Sequence, residues 1–208
     1  NNLKFTTQSS AKKVSSKSLC RIDNTMNTRI TVVHVMTVAE TVVFLKPHLA
    51  SLKKDEIDYH IFANFKNASL KDDVYTAHHI PINRKILNYL DIFALLKLIY
   101  ELQKLKPNLI ILSSPKAGLL GMLAALVAVP RIPRILLVRG YRYPTLNGIY
   151  RSITKYLEIL PALLSHEVHC TSKETAQTMI KIIGIAHQKK VKVILNGSGN
   201  GIDTKNVF

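Results

Sequence analysis

NLIILSSPKAGLLGMLAALVAVPRIPRILLV, residues 108–138, is the stretch that decides the architecture. Its opening, NLIILSS (108–114), is an apolar run closed by two hydroxyls, and its end, RILLV (134–138), is a second such run. Short continuous apolar runs bounded by polar residues or proline suit strands buried on both faces, the pattern of parallel sheets. Between them, AGLLGMLAALVAV mixes small and large apolar residues over a helical length, so the helix it predicts packs closely against a sheet. The apolar patch from Ala117 to Pro130 falls short of the ~20 residues that a membrane-spanning helix needs.

The same alternation extends in both directions. Upstream, RITVVHV (29–35), IDYHIFA (57–63) and the weaker VYTAHHI (74–80) read as strands. A helix is predicted from about Val38 to Leu52, kinked at Pro47. A longer one spans Ile86 to Leu105, with apolar positions Leu90, Phe93, Leu96, Ile99 and Leu102, and Pro107 stops it. Downstream, helices over 146–164 and 172–184 alternate with strands HEVHC (166–170) and VKVILN (191–196). Strands alternating with helices predict an α/β fold, a Rossmann-like doubly wound parallel sheet, over residues 29–208. Residues 1–28 are polar and aperiodic, and are expected to be a disordered basic arm without the apolar core of a secretory signal. Cys20 and Cys170 lack metal-ligand spacing, so a reducing, cytoplasmic setting with no metal site is the simpler expectation.

Charge supplies the first functional signal. The chain carries a net +16; five basic and one acidic side chain in 1–28 leave +12 on residues 29–208. Arg131, Arg134, Arg139, Arg142, Arg151 and Lys155 follow one another without an intervening Asp or Glu. Such a field attracts phosphates, whether on nucleic acid, a nucleotide sugar or anionic lipid; a solvated basic face is the plain alternative.

In doubly wound sheets ligands sit beyond the carboxyl ends of the strands, so the residues that follow each strand matter most. After Leu112 comes SSPKAGLLG, where Ser114 is placed to cap a helix, Pro115 suits its first turn and Lys116 lies at its positive end. That cation either faces solvent beside a capped helix or shares the site with an anion. After Val138 comes RGYRYPTLNG, where Arg139 and Arg142 straddle Gly140, beside Tyr141 and Tyr143. Guanidinium forks bind phosphate oxygens, and tyrosine rings stack on sugars or bases. Arg84, in IPINRKI, adds a third cation. His34, His60, His78 and His79 lie on predicted strands without a carboxylate cluster, and read as satisfied core or edge residues.

Several enzyme classes lack their signatures. There is no G-x-S-x-G elbow. GSGNG is not a G-x-x-x-x-G-K-[ST] loop. The first strand is followed by MTVAETVVF, without the glycines of a dinucleotide fingerprint. That omission also argues against a complete small dinucleotide-binding enzyme. Carboxylates at the ligand-end segments are few, Glu40 and Glu174. Anion binding is more legible than acid–base catalysis.

Taken together, KPNLIILSSPKAGLLGMLAA, LLVRGYRYPTLNGIYRSITKYLE, VHCTSKE and KVILNGSGNGID resemble the N-terminal domain of family-4 glycosyltransferases of bacterial surface polysaccharide assembly. HHIPINRKI looks like that family's P-x-x-R-x-I segment. The resemblance covers about residues 29–208, and PKAGLLG and NGSGNGID are its most specific parts. It implies one half of a GT-B enzyme, a retaining transferase that moves a sugar from a nucleotide donor, usually UDP-linked, to a lipid-linked saccharide. No other cofactor is implied. By position, Arg84, Ser114, Lys116, Arg139, Gly140 and Arg142 would contact the acceptor or its phosphates. Asn196, Gly197, Ser198, Gly199 and Asn200 would line the interdomain cleft on the donor side.

Two departures accompany the resemblance. Ser113 stands where the family pattern has a histidine, with Ile111 at an earlier one. The nucleotide-sugar domain with its E-x7-E carboxylates would follow Phe208, so the expected chain is a half enzyme: a fragment, a split subunit or a degenerate product. It should be inactive alone, peripheral on the cytoplasmic face of an anionic membrane, and completed by the C-terminal domain or a partner subunit. The competing expectation is a non-catalytic basic module for nucleic acid or anionic membrane, though no RRM, KH or helix-turn-helix pattern is present.

Overall fold

The structure, a computed structural model, describes residues 29–45, 49, 57–66, 74–85 and 88–194. The expected arm over 1–28, the Pro47 kink and the loop residues Asn196, Gly197, Ser198, Gly199 and Asn200 lie outside the described residues.

Seven strands form one sheet: β1 Ile30–Val38, β2 Ile57–Asn64, β3 Thr76–His79, β4 Leu109–Ser113, β5 Arg134–Val138, β6 Glu167–Cys170 and β7 Val191–Val193. Their order is β3-β2-β1-β4-β5-β6-β7, and every pair is parallel. Each neighbouring pair therefore needs a crossover, and the chain runs outward from β1 in one direction and then in the other. This is the predicted doubly wound sheet, with its order reversing between β1 and β4.

Among the described residues four α-helices supply crossovers: α1 Leu90–Leu105, α2 Pro115–Ala128, α3 Gly148–Leu164 and α4 Lys173–Ile183. Alternate strand residues Val33, Val35, Phe62, Ile110, Leu112, Leu136, Val138 and Val168 form one core with the buried faces of all four helices. Residues of opposite parity, Val32, Met36, Tyr59 and Ile61, form a second core with Ala39, Val42, Leu45 and Leu49. Helix α1 ends where Lys106 turns left-handed at φ 46°, immediately before Pro107. Helix α4 starts under a side-chain cap, with Thr175 N–H donating to Ser172 Oγ at 3.1 Å.

Helix α2 sits closest to the sheet because its inner face is small: Ala117, Gly118, Gly121, Ala124 and Ala125 are all buried. A Cβ at Gly121 would stand 2.6 Å from Leu112 Cδ2 and 3.3 Å from Val35 Cβ. The start of the helix expected over Val38–Leu52 is instead a 3-10 segment, Ala39–Phe44, while Leu49, helical, donates its N–H to the Leu45 carbonyl at 3.0 Å and the rest lies outside the described residues. The branched sequence AETVVF of the 3-10 segment, with Thr41 Oγ1 donating back to the Val38 carbonyl at 2.8 Å, favours the tighter turn. One member of the basic run also proves structural. Arg134 is buried at the start of β5 and donates from Nη1 to the carbonyls of Pro130 (2.8 Å) and Ile132 (3.1 Å), which follow α2.

Candidate functional site

Where the sheet order reverses, the carboxyl ends of β1, β4 and β5 leave a cleft of two adjoining cavities, about 190 and 360 Å³. Thr37, Val38, Thr41, Ser114, Pro115 and Leu157 wall both. The smaller one is floored by Ser113 and Leu137 and edged by Arg139, Gly140 and Glu158. The larger one is edged by Arg84, Lys116, Arg142 and Thr154.

Arg84, Arg139 and Arg142, read from sequence as anion contacts, thus meet at one cleft from two separate loops, the one after β3 and the one after β5. Among the described residues none of them makes an ion pair. Partial burial, chiefly desolvation, disfavours the charged form of Arg139, which a bound anion would restore. The positive end of α2 opens on the same cleft, adding to the field. Gly140 has nothing within 4 Å of where a Cβ would stand, so its backbone is open to close approach.

Three expectations are corrected. Lys116 neither faces solvent nor waits for a ligand: it is 8% exposed, and its ammonium is surrounded by protein oxygens. Nζ pairs with Asp91 Oδ1 at 2.7 Å and donates to the Lys85 carbonyl (2.5 Å) and Asn83 Oδ1 (3.3 Å). Ser114 occupies the N-cap position of α2 but does not cap through its side chain. Its backbone, at φ 70° and ψ 149°, turns the hydroxyl to Thr37 Oγ1 at 2.6 Å instead. Tyr141 is no stacking platform, because its hydroxyl donates to the Thr175 carbonyl at 2.6 Å and its ring packs on the core.

The floor holds a buried polar chain. The His34 imidazole is hydrogen-bonded through Nδ1 to Tyr59 OH (2.9 Å) and through Nε2 to Ser113 Oγ (2.8 Å). Burial first, and the Arg139 cation second, lower the His34 pKa to about 3, so the ring is neutral at physiological pH. Burial likewise raises the Tyr59 hydroxyl. A neutral imidazole passes one proton direction along the chain, so Ser113 is held in a fixed donor or acceptor role. His60 is satisfied within its strand neighbourhood, against Asp58 Oδ2 (3.1 Å) and His78 Nε2 (2.9 Å).

Comparison with known proteins identifies this cleft's lineage. The sequence model of Glycosyltransferase Family 4 matches residues 41–204. The chain belongs to Glycosyltransferase Family 4. The capsular polysaccharide biosynthesis glycosyltransferase CapM of Staphylococcus aureus is 30% identical over 169 residues, 81% of this chain and 44% of CapM. The chain thus spans less than half the length of that relative. Among solved structures, Anabaena Alr3699/HepE in complex with UDP and glucose superposes with a TM-score of 0.61 at 14% identity, covering 84% of this chain and 45% of that one. UDP-GlcNAc 2-epimerase from Methanocaldococcus jannaschii gives 0.55 at 16% identity, over 81% and 46%. These two likenesses establish the fold of a GT-B half.

In this family-4 chain the histidine that the family pattern led one to expect at Ser113 has a neighbouring counterpart: His34, one strand over, brings its imidazole to 2.8 Å from that serine hydroxyl. Sequence reading saw His34 only as a satisfied core residue. It also missed Glu158 and Thr154, because carboxylates were sought at strand ends and these two reach the cleft from mid-helix. The available signal was their spacing. Thr154 and Glu158 fall one turn apart on the same face of α3 as Pro161 and Ala162, which are buried. A carboxylate on the buried stripe of an amphipathic helix is the anomaly that marks them.

Proposed function

We propose that this chain is the acceptor-side half of a glycosyltransferase, which receives a sugar from a nucleotide-sugar donor, UDP-linked, onto a saccharide carried on a lipid diphosphate. The observation that carries the reading is the convergence of Arg84, Arg139 and Arg142, none of them in an ion pair among the described residues, on a cleft at the β1/β4 reversal. Three guanidinium groups beside a helix N-terminus match the charge of a diphosphate. The capsular polysaccharide biosynthesis for which CapM is named and the UDP and glucose held by HepE agree with a saccharide substrate and a uridine donor.

A second feature supports a lipid-linked acceptor. Helix α1 begins at the cleft rim, where Asp91 meets Lys116, and exposes Ile92, Phe93, Leu96 and Tyr100 along one stripe. Those spacings put the four side chains on one helical face. Lys97 and Lys104 lie on the same helix. An apolar stripe with basic neighbours suits peripheral attachment to an anionic membrane surface and gives a polyprenyl tail leaving the cleft an apolar path. No helix among the described residues is long and apolar enough to cross a membrane.

In this reading the chain binds and orients the acceptor, while a further domain or a partner subunit supplies the catalytic carboxylates and most of the nucleotide contacts. The test is binding of a polyprenyl diphosphate in detergent micelles by the wild-type chain and by Arg139→Ala and Arg142→Ala. Wild type should bind, each variant should weaken binding roughly tenfold, and inorganic diphosphate should compete. Equal binding by all three proteins would refute the assignment, and tighter binding to single-stranded RNA with a steep salt dependence would favour a nucleic-acid module.

A further inference from the structure

Helix α3 carries two buried polar side chains that are left with an unpartnered oxygen among the described residues. Glu158 is 7% exposed and Thr154 is 3% exposed. Glu158 Oε1 accepts the backbone N–H of Arg142 at 2.9 Å, which fixes the carboxylate against the arginine loop. Its other oxygen, Oε2, has no hydrogen-bond partner among the described residues, and neither has Thr154 Oγ1. Both residues wall the cleft, Glu158 the smaller cavity and Thr154 the larger.

Leaving such groups unpartnered is expensive. A buried hydroxyl without a partner costs about 1–3 kcal/mol, and a carboxylate more. Two of them one helical turn apart, at the wall of one cleft, make a coherent pattern rather than scattered defects. Their Cβ atoms stand roughly 5–6 Å apart on the helix surface, so one small polyhydroxylated molecule can reach both. The chemistry narrows the ligand further. The carboxylate oxygen accepts a hydrogen bond, and the threonine hydroxyl both donates and accepts. The flanking Arg139 and Arg142 take an anion. The complementary molecule therefore bears several hydroxyls and an attached phosphate.

We infer that Thr154 and Glu158 form a hydroxyl-recognition rail that reads the sugar of a phosphate-linked saccharide, while the neighbouring arginines hold its phosphate. The inference rests on the acceptor-side reading above and adds to it the residues that distinguish a sugar-bearing lipid from a bare one. Burial raises the Glu158 pKa, while the backbone N–H groups of Arg142 and Tyr143 oppose that rise. A sugar hydroxyl suits either protonation state, since it donates to the carboxylate and accepts from the acid.

The test compares lipids that differ only in the sugar. Binding is measured for a bare polyprenyl diphosphate and for the same lipid carrying glucose, galactose, N-acetylglucosamine or N-acetylgalactosamine, all in one detergent. Wild type should bind at least one sugar-bearing lipid roughly tenfold more tightly than the bare one, the scale set by one or two hydrogen bonds. Thr154→Val and Glu158→Gln should each remove most of that preference while leaving the bare lipid within about twofold, since the arginines are untouched. The glutamine can keep its oxygen on the Arg142 N–H. Thermal melting supplies an independent readout. Thr154→Val, which removes an unsatisfied hydroxyl, should hold or raise the melting temperature even as it weakens sugar-lipid binding, an outcome that a purely structural role does not give.

Variants that keep the full preference, or that weaken bare and sugar-bearing lipids equally, would overturn the rail while leaving the acceptor reading in place. The same holds for a wild type that binds the lipids without any sugar preference. A wild type that binds no lipid diphosphate overturns the acceptor reading, and the rail with it.

Discussion

Lys116 Nζ and Asp91 Oδ1 lie 2.7 Å apart, with side chains only 10% and 17% exposed, and join the first turn of α2 to the first turn of α1. The pair neutralises a cation that would otherwise sit at the positive end of α2. It also places a carboxylate at the start of α1, where the helix dipole favours one. Together with the Lys85 and Asn83 contacts it anchors the segment that carries Arg84.

Removing one partner leaves the other charge enclosed. Lys116→Met should therefore destabilise the fold by about 3 kcal/mol in urea denaturation, and Asp91→Asn by a somewhat smaller amount. The double variant Lys116→Met/Asp91→Leu should recover much of the loss, because no uncompensated charge remains. Additive losses in the double variant would mean that the pair is not coupled.

The floor imidazole predicts how stability follows pH. Burial and the Arg139 cation hold the His34 pKa at about 3, against an ordinary 6.5. The unfolded chain thus takes up this proton at a higher pH than the folded chain does. The stability that comes from keeping the ring neutral is complete above pH 6.5 and is lost as pH falls toward 3. Between pH 7 and pH 5 the loss should reach about 2 kcal/mol. His34→Gln, which has no titrating ring, should lose that component. The comparison between the two proteins isolates His34, because raised Glu158 works in the opposite direction and lowered His78, His79 and His166 in the same one. Identical pH slopes for the two proteins would contradict the assignment.

The elements that sequence resolved and those that it did not differ in what determines them. RILLV became β5 at its expected bounds, and NLIILSS became β4, because buried parallel strands write themselves as unbroken apolar runs. Helices α1 to α4 were legible through length and stops such as Pro107, but spacing misplaced the inner face of α1, where Ala94, Leu98 and Leu102 are buried and Phe93 and Leu96 are exposed. The gathering of Arg84, Arg139 and Arg142 followed from the rule that ligand loops leave the carboxyl ends of strands. What stayed hidden depends on side-chain partners far away in sequence. Lys116 meets Asp91 across 25 positions and His34 meets Ser113 across 79, and no local pattern encodes either. Glu158 was hidden for a different reason. Its helix reads as an ordinary amphipathic one until the buried face is known to meet a cavity.

Gly121 offers a sharper test of the α2–sheet contact. A methyl group there would stand 2.6 Å from Leu112 Cδ2 and crowd Val35, and both of those side chains are fully buried. In an exposed helix interior, replacing glycine by alanine stabilises by roughly 0.5–1 kcal/mol. Here the steric term should reverse that sign. Gly121→Ala should destabilise by about 1–2 kcal/mol, and Gly121→Val by more, as overpacked cores do. Paired with Leu112→Ala, Gly121→Ala should cost less than it does alone, because the clashing methyl is gone. A melting temperature raised by Gly121→Ala alone would mean that the helix stands farther from the sheet than described.

Ser114 carries the one cleft residue conformation that sequence could not have suggested. At φ 70° and ψ 149° it adopts a backbone geometry that glycine tolerates and serine does not, a strain of about 1–3 kcal/mol. Its hydroxyl, 2.6 Å from Thr37 Oγ1, offsets part of that cost. Two substitutions separate these contributions. Ser114→Ala keeps the strain and loses the hydroxyl pair, so it should destabilise by about 1 kcal/mol. Ser114→Gly loses the same pair but relieves the strain, so it should be the more stable of the two by about 1–2 kcal/mol. At an ordinary position the order is reversed, since glycine costs more chain entropy than alanine. The ranking of glycine above alanine in urea denaturation is therefore the decisive reading, and alanine above glycine would show that the turn into α2 is unstrained. The strain matters for the cleft because this turn sets where Thr37 and the first free N–H groups of α2 stand. Ser114→Gly, although more stable than the alanine variant, should bind the lipid diphosphate more weakly than wild type, because a looser turn no longer holds the helix N-terminus against the arginines.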